Sequence, residues 1–277
     1  MILVTGATGN IGGALLRELR AHGAGPVRGL TRDPSRAAFP EGVTAVGGDL
    51  GRPATLKAAL DGARSLFLVP GSGGEADVLT AAQEAGVEHV VLVSSITVET
   101  HPHLPPAAQN HALELALRDS GMAWTVLRPS QFASNTLWWA ESIREHDLVR
   151  APYGDVGLPA IHPADIAAVA RVALTEPGHR GRTHTLTGPA RISPREQVAA
   201  IAEARGRAIS FEETDRAQAH REMAAFLGDE VAAAVLDLTG GDVNEAILTV
   251  RDEVAQLTGA PARTFREWAQ EHAAAFR

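Results

Sequence analysis

The glycine pattern at the start of the chain restricts its fold more than any other feature. The apolar stretch ILVTG at residues 2–6 is followed by glycines at every third position and then by the amphipathic stretch GGALLRELRAHG at 12–23. These two stretches are typical of a buried strand and of the helix after it. A helix interior avoids glycine, which costs about 1 kcal/mol relative to alanine. Three regularly spaced glycines therefore indicate a strand-to-helix turn that requires them.

Such a turn is suited to binding a phosphate group. The first turn of a helix has free N–H groups and a partial positive charge, and a phosphate can approach when no Cβ blocks it. We assign Gly6 to the tight turn, Gly9 to the close approach of a pyrophosphate and Gly12 to helix–strand packing. The spacing is GxxGxxG, which differs from the usual GxGxxG dinucleotide fingerprint. A tight turn without a ligand is the alternative. The residues predicted to bind the cofactor here are Gly6, Thr8, Gly9, Asn10, Ile11 and Gly12.

Apolar runs alternate with amphipathic stretches up to residue 130. Further strands are predicted at 26–32, 43–50, 65–71, 89–95 and 123–129, and helices at 54–62, 75–86 and about 107–120. Near-continuous apolar strands separated by helices imply a parallel sheet that is covered on both faces. The predicted fold class is therefore α/β, with a doubly wound, Rossmann-like parallel sheet.

The alternation loosens after residue 130. Helices are expected at 134–146 and 162–177, a strand at 182–189 and a short strand at 207–213, with the remainder mainly helical. We predict a dinucleotide-binding domain formed by residues 1–130 and completed by 162–189. Residues 131–161 and 190–277 are predicted to form a smaller, mainly helical substrate lobe.

Composition limits the classes of partner. The net charge of -8 argues against nucleic acid, and the absence of cysteine excludes disulfides and thiolate chemistry. No apolar run reaches the length of a membrane span, and no signal-peptide pattern precedes the first strand. We therefore expect a cytoplasmic protein that acts on a small molecule, with neither nucleic acid nor a membrane as partner. A homodimer is compatible with this composition.

The end of the second strand indicates which dinucleotide is bound. Its sequence GLTRDPSR places Thr31 and Arg32 at the tip, and Asp33 is expected to cap the next turn. A guanidinium at this position accommodates the 2′-phosphate of NADP, whereas a carboxylate would bind the ribose of NAD. NADP(H) is therefore favoured over NAD(H), with a solvated surface role for Arg32 as the alternative. The ends of the third and fourth strands are predicted to border the adenine, ribose and pyrophosphate through Asp49, Leu50, Val69, Pro70 and Gly71.

With these motifs assembled, the chain resembles the NmrA-like, atypical group of short-chain dehydrogenase/reductase proteins. The resemblance covers nearly the whole length and depends on VTGATGNIG, LTRDP, GDL, VVLVSS, HPADIAAVARVAL and the stretch NHALELALRDSGMAWTVLRPSQFASN at 110–135. It implies that LRP leads from the sixth strand into the substrate crevice. It also implies a polar residue facing the nicotinamide from the helix after the fifth strand, a position that Asn110 matches, with His111 beside it.

The chemistry must differ from that of most short-chain dehydrogenases. Their Tyr-x-x-x-Lys dyad is absent, because the only tyrosine is Tyr153 and the only lysine is Lys57. The candidate catalytic residues are Ser94, which could also bind the cofactor, and Asn110 or His111. The alternatives are that Ser94 and Ser95 are caps and that His111 lies on a solvated helix face. Candidate substrate-binding residues are Gln131, Phe132 and Trp138.

Packing is the alternative for the aromatic candidates. Phe132 could belong to the core, and core packing is preferred for Trp138 and its neighbour Trp139. His162 is expected to cap the helix that follows it rather than to take part in catalysis. The HPH sequence at 101–103 lies among prolines with no further ligand nearby, so no metal site is predicted.

These features favour an NADP(H)-dependent oxidoreductase that transfers hydride to a small organic molecule, with a quinone-like compound as the candidate. A quinone can accept hydride and take its proton from solvent, so the missing dyad does not prevent the reaction. Two alternatives use the same fold. One is a regulator that senses the dinucleotide without catalysis, and the other is a non-redox biosynthetic enzyme such as an isomerase or cyclase.

Overall fold

The centre of the molecule is a seven-stranded sheet in which every neighbouring pair of strands is parallel. The computed structural model describes residues 1–71 and 73–277. The sheet strands are β1 (Ile2–Val4), β2 (Val27–Thr31), β3 (Val43–Gly47), β4 (Ser65–Leu68), β5 (His89–Val93), β6 (Ala123–Pro129) and β9 (Arg182–Leu186). Their order across the sheet is β3-β2-β1-β4-β5-β6-β9. Four short strands lie outside it: β7 (Leu148–Ala151), β8 (Leu158–Pro159), β10 (Arg191–Ile192) and β11 (Ser210–Glu213).

Helices cover both faces of the sheet. In the first part of the chain they are α1 (Asn10–Ala21), α2 (Lys57–Leu60), α3 (Glu75–Glu84), α4 (Thr97–Thr100), α5 (Pro105–Asp119), α6 (Ala140–His146) and α7 (Pro163–Thr175). The second part contains α8 (Pro194–Arg205), α9 (Arg216–Leu227), α10 (Asp229–Leu236), α11 (Glu245–Leu248), α12 (Glu253–Thr258) and α13 (Phe265–Glu271). The predicted doubly wound α/β fold is confirmed.

Alternation along the strands separates two cores. Val4 and Phe67 pack with α1 and α7 on one face, whereas Leu3 and Leu66 pack with α2, α3 and α5 on the other. All four side chains are at most 1% exposed. Successive strand residues point to opposite faces, so the apolar runs that looked continuous in sequence serve two cores.

A third core lies beyond the main sheet. It joins α8 and α13 around Trp268 and Phe276, both fully buried, and includes Val149 of β7. Two small strand pairs border it, with β7 parallel to β11 and β8 antiparallel to β10. The expected strand at 207–213 is present as β11, whereas the sequence analysis missed its partner β7 and the pair β8 and β10.

Two predicted helices are shorter than expected because their first turns are 3₁₀. The stretch expected to be helical at 134–146 is a 3₁₀ helix, Ala133–Trp139, followed by α6. The stretch at 54–62 is likewise a 3₁₀ turn, Pro53–Leu56, followed by α2. Across the described residues, no helix combines the length and apolarity needed to cross a bilayer.

Candidate functional site

The strand order locates a crevice between β1 and β4. The chain runs outward from β1 to β3 and then continues on the other side of β1 with β4. Open α/β sheets bind ligands at the carboxyl ends of the strands where this reversal occurs. The buried hydroxyl of Thr5 accepts a hydrogen bond from the N–H of Val69 at 2.9 Å, which ties the two strand ends together. Sequence analysis missed Thr5, although it is the one polar residue between an apolar strand and Gly6.

The glycine turn has the geometry that the sequence predicted. Gly6 adopts the left-handed conformation with φ 57°, and its carbonyl accepts a hydrogen bond from the N–H of Gly9 at 2.9 Å. A Cβ on Gly12 would lie 2.2 Å from that same carbonyl oxygen, so no side chain fits there. The turn therefore requires glycine for its backbone conformation at Gly6 and for close packing at Gly12.

The first turn of α1 is free to bind an anion. Gly9 is the N-cap and provides no side-chain cap, so Asn10, Ile11 and Gly12 begin the helix with N–H groups that have no carbonyl one turn earlier. Thr8, Gly9 and Asn10 are exposed, whereas the Ile11 side chain is buried in the core. A Cβ at Gly9 would lie 3.2 Å from the Gly6 oxygen, and apart from the chain neighbours no other atom lies within 4 Å of it, so the approach to these N–H groups is open to an anion.

The end of β2 presents a free guanidinium. Thr31 and Asp33 are engaged locally, since the Thr31 hydroxyl accepts from the N–H of Asp33 at 3.3 Å and the Asp33 carboxylate accepts from the N–H of Ser35 at 3.1 Å. The predicted capping role of Asp33 is confirmed. Arg32 is exposed, and within residues 1–71 and 73–277 the structure gives it no ion pair or hydrogen bond. Its guanidinium is therefore available to a phosphate.

In the sheet, the end of β3 is next to the end of β2, and the end of β4 lies on the other side, beyond β1. The Asp49 carboxylate accepts from the N–H of Gly51 at 3.1 Å, and Leu50 packs against the core. Val69 and Pro70 are half-buried after β4. The N–H of Gly71 donates to the carboxylate of Glu75 at 2.7 Å.

The end of β5 carries a buried charged cluster. The hydroxyl of Ser94 donates to the Glu114 carboxylate on α5 at 2.6 Å. Arg128 of the LRP motif also donates to both oxygens of Glu114, at 2.9 and 2.7 Å, and Arg118 donates at 2.9 Å. Glu114 itself is completely buried. Ser94, predicted to be catalytic, therefore directs its proton toward α5.

Glu114 is held in its ionised form. Burial raises the pKa of the Glu114 carboxyl, but the hydrogen bonds from Arg128 and Ser94 and the charges of both arginines outweigh burial and bring the pKa below its ordinary value. Sequence analysis missed Glu114. The signal available was an acidic residue on the apolar face of a helix, followed by an arginine in the next strand.

The two other catalytic candidates occupy different faces of α5. Asn110 is half-buried one turn before Glu114, and its amide donates to the carbonyl of Pro106 at 2.9 Å. His111 is exposed. Asn110 therefore lies on the side nearer the sheet, and His111 lies on the solvated face.

The predicted substrate residues follow the end of β6. The carbonyl of Gln131 accepts a hydrogen bond from the N–H of Ile161 at 2.9 Å, and the half-buried Phe132 packs against the core that contains α1. Trp138 is 62% exposed, so the preference for core packing was wrong for this residue. The same preference is confirmed for Trp139, which packs against the third core.

Two of the histidines singled out by the sequence, His162 and His101, make structural hydrogen bonds. His162 caps α7, because its Nδ1 accepts a hydrogen bond from the N–H of Ala164 at 3.0 Å, which confirms the prediction. His101 is buried and its Nε2 lies 2.6 Å from the carbonyl of Asp242, and it donates there. In the part of the chain that the structure describes, no three histidine, aspartate or glutamate side chains are grouped to hold a metal ion.

A Rossmann-like sheet with a free helix N-terminus at its switch point defines a dinucleotide-binding protein. The family model for NAD(P)H-binding proteins matches residues 6–177. The chain belongs to this family, and its resemblance to the NmrA-like group of atypical short-chain dehydrogenase/reductase proteins is confirmed.

Three relatives indicate the class of reaction. The chain is 43% identical to the (4-alkanoyl-5-oxo-2,5-dihydrofuran-3-yl)methyl phosphate reductase of Streptomyces griseus, covering 100% of this chain and 99% of the relative. It is 37% identical to the NAD(P)H azoreductase of Xenophilus azovorans, with the same coverage. The NADPH complex of the Escherichia coli quinone oxidoreductase QOR2 superimposes with a TM-score of 0.81 at 26% identity, covering 98% of this chain and 99% of that one. The chain is therefore an NADP(H)-dependent oxidoreductase, and its substrate is a small molecule.

Proposed function

We propose that this reductase transfers hydride from NADPH to a conjugated, electron-poor acceptor. The proposal depends on which side chains α5 provides. Asn110 and Glu114 are spaced four residues apart there, and neither a tyrosine nor a lysine lies on this helix. Reduction of an isolated ketone needs a strong proton donor beside the carbonyl. A conjugated acceptor spreads the incoming charge over several atoms and does not need one.

The names of the relatives agree with this chemistry. One is a reductase of a dihydrofuran that carries an oxo and an alkanoyl group, one reduces azo compounds and one reduces quinones. In each of these three classes of acceptor, the carbonyl or azo group that gives the class its name can be part of the conjugated system that accepts the hydride. We propose that the substrate of this chain belongs to the same chemical class.

We assign each residue of the site to one part of the bound coenzyme. NADPH, when bound, supplies the hydride. The N–H groups of Asn10, Ile11 and Gly12 bind its diphosphate, and Arg32 with Thr31 binds the 2′-phosphate. Asp49, Leu50, Val69, Pro70 and Gly71 border the adenine and ribose, and Ser94 lies at the nicotinamide end.

We propose that Asn110 contacts the nicotinamide or the substrate. Its half-buried position favours it over the exposed His111. Ser94 would act through its oxygen, because its proton is donated to Glu114. Gln131, Phe132 and Trp138 would line the substrate crevice, since they follow β6 at the carboxyl edge of the sheet.

The domain division is part of the same proposal. Residues 1–130 and 162–189 would form the dinucleotide-binding domain, and 131–161 with 190–277 the substrate lobe. The third core supports this division, because it contains residues from the second set only. A cytoplasmic location without nucleic acid as partner, and a homodimer, stay predictions.

The test is a panel of acceptors followed at the absorbance of NADPH. We expect turnover with a naphthoquinone, an azo dye and an acyl-butenolide phosphate, and none with cyclohexanone, which has no conjugation. Equal turnover of cyclohexanone would contradict the proposal. NADPH binding without turnover of any acceptor would instead favour a sensor, and conversion without NADPH oxidation would favour an isomerase or cyclase.

A further inference from the structure

The only tyrosine of the chain has an unusual backbone conformation. Tyr153 follows β7 with φ 58°, in the left-handed region that residues with a side chain rarely occupy. Such a conformation costs about 1 kcal/mol or more and persists where surrounding contacts fix it. The position of the Tyr153 side chain is therefore determined by what it contacts.

The ring of Tyr153 packs on two glycines of the turn Asp237–Gly241. A Cβ on Gly240 would lie 2.2 Å from the ring carbon Cγ, and a Cβ on Gly241 would lie 3.1 Å from the phenol oxygen. Neither position has room for a side chain. The turn and the ring fit together face to face, and this contact fixes where the hydroxyl lies.

A guanidinium polarises the phenol. Arg216 donates from Nη1 to the Tyr153 oxygen at 3.0 Å, and its Nη2 lies 2.8 Å from the Asp237 carboxylate. The hydrogen bond to Tyr153 is the largest cause of the raised pKa of Arg216. Because a guanidinium only donates, the proton of the phenol is not used in this contact. Donation into the oxygen strengthens the O–H as a donor to a further group.

The turn Asp237–Gly241 lies beside the start of α5, because its Leu238 packs against the cluster that contains Leu104 and Ala107, one helical turn before Asn110. After the turn, the carbonyl of Asp242 accepts a hydrogen bond from His101, and the amide of Asn244 donates to the carbonyl of Thr100 at 2.9 Å, both at the end of α4. After Tyr153, Ile161 pairs with Gln131, just beyond β6. Tyr153 therefore lies between β7 and β8, on the segment that leads to the Ile161–Gln131 contact, and it packs on a turn that borders α5.

We propose that the Tyr153 hydroxyl is the hydrogen-bond donor to the acceptor oxygen in the substrate site, with Arg216 and Asp237 as positioning residues. This inference rests on the proposed function. NADPH, when bound, would supply a hydride that carries two electrons, so that a C–H or O–H bond would form on the conjugated acceptor as the C4–H bond of NADPH breaks and the nicotinamide is oxidised. The electron pair displaced from the acceptor's π bond collects on its oxygen, which takes a proton from solvent. Tyr153 stabilises that oxygen and keeps its own proton.

The single tyrosine allows a direct binding test. Growth on 3-fluorotyrosine places one fluorine in the whole chain, at Tyr153. In the complex with NADP⁺, we expect menadione to shift the ¹⁹F resonance by a saturable amount. The absence of cysteine limits covalent quinone adducts that would complicate this titration. A resonance that does not move, at menadione concentrations that saturate turnover, overturns the inference.

Substitution tests the chemical role. Tyr153→Phe keeps the ring on Gly240 and should lower kcat with menadione by about 10- to 100-fold, with KM and the NADPH Kd nearly unchanged, because the bond strengthens as the oxygen becomes anionic. Thr239→Val is the matched control. Its hydroxyl lies on the same turn but donates to the carbonyl of Val235 at 2.8 Å, so activity should be kept.

The outcomes separate this inference from the proposed function. If wild-type protein reduces menadione and Tyr153→Phe does so at the same kcat, the inference is wrong and the proposed function stands. If no conjugated acceptor is reduced by the wild type, the proposed function fails and this inference fails with it. Arg216→Met should shift the ¹⁹F resonance of the free protein, and no shift would show that the polarising contact is absent.

Discussion

The backbone of Gly12 touches the carbonyl of Gly6 so closely that a Cβ on Gly12 would lie 2.2 Å from that oxygen. Gly6 lies two residues after the end of β1 and Gly12 belongs to the first turn of α1, so this contact fixes the helix start against the sheet. The N–H groups that we assign to the diphosphate are oriented by it. Gly12, the third glycine of the pattern, is therefore required for packing, and this packing in turn affects the proposed binding of the diphosphate.

Substitution at this contact should weaken both folding and binding. Gly12→Ala is expected to lower the free energy of unfolding by about 1–3 kcal/mol through overpacking and to weaken NADPH binding, measured by urea denaturation and calorimetry. Gly13→Ala is the matched control, because its Cβ would meet the Ala7 oxygen at an ordinary 3.4 Å. Normal NADPH affinity in a folded Gly12→Ala variant would contradict the assignment.

Arg32 should decide the choice between the two nicotinamide coenzymes. Arg32→Ala is expected to raise the Kd of NADPH by about tenfold or more through loss of a charge-assisted contact, and to leave that of NADH unchanged. Titration of both coenzymes measures the ratio. Arg182→Ala, an exposed arginine at the start of β9 and so at the opposite edge of the sheet, should change neither. Equal losses for NADPH and NADH would place the 2′-phosphate elsewhere.

The Glu114 cluster should make stability depend on acid pH. The folded pKa of Glu114 lies below its unfolded value of 4.5, so its contribution is present above pH 4.5 and is lost as the pH falls through the folded pKa. Glu114→Gln leaves Arg128 without its carboxylate and should lower stability by about 3 kcal/mol near neutral pH. Its Tm should fall less than that of the wild type below pH 4.5. If the Tm of the wild type and that of Glu114→Gln change with pH in parallel, Glu114 is not the source of this pH dependence.

The buried His89 should make stability depend on pH in a higher range than Glu114 does. Burial lowers the pKa of His89 to about 4 from 6.5, with smaller contributions from Arg180 and His179. Between these values the unfolded chain binds more protons than the folded one, so stability decreases as the pH falls from 6.5 toward 4. The hydroxyl of Thr125 donates to the carbonyl of His179, so it must accept from Nε2 of His89.

His89→Gln keeps a donor for Thr125 and removes the titrating group. Its Tm should therefore vary less than that of the wild type between pH 6.5 and pH 4, as followed by circular dichroism. The stability contribution of Glu114 changes only below pH 4.5. Comparing the His89→Gln and Glu114→Gln variants therefore separates the contributions of these two residues. An unchanged slope in the His89→Gln variant would assign the pH dependence to other residues.

Local patterns predicted much of the fold. Strand periodicity and strand-to-helix turns depend on neighbouring residues, so the seven strands of the main sheet were all expected near their actual positions. The strands β7, β8 and β10 were missed because each has only two to four residues and is formed through pairing with a distant segment. The 3₁₀ geometry of Ala133–Trp139 was also missed.

The sequence by itself determined the glycine turn, the α/β fold class and the arginine at the end of β2, because each depends on backbone geometry or charge within a few residues. Only the tertiary structure decided that the proton of Ser94 belongs to Glu114 and that Tyr153 meets Arg216. Those partners are 20 and 63 residues apart, and no local pattern encodes which distant side chain will share a buried hydrogen bond.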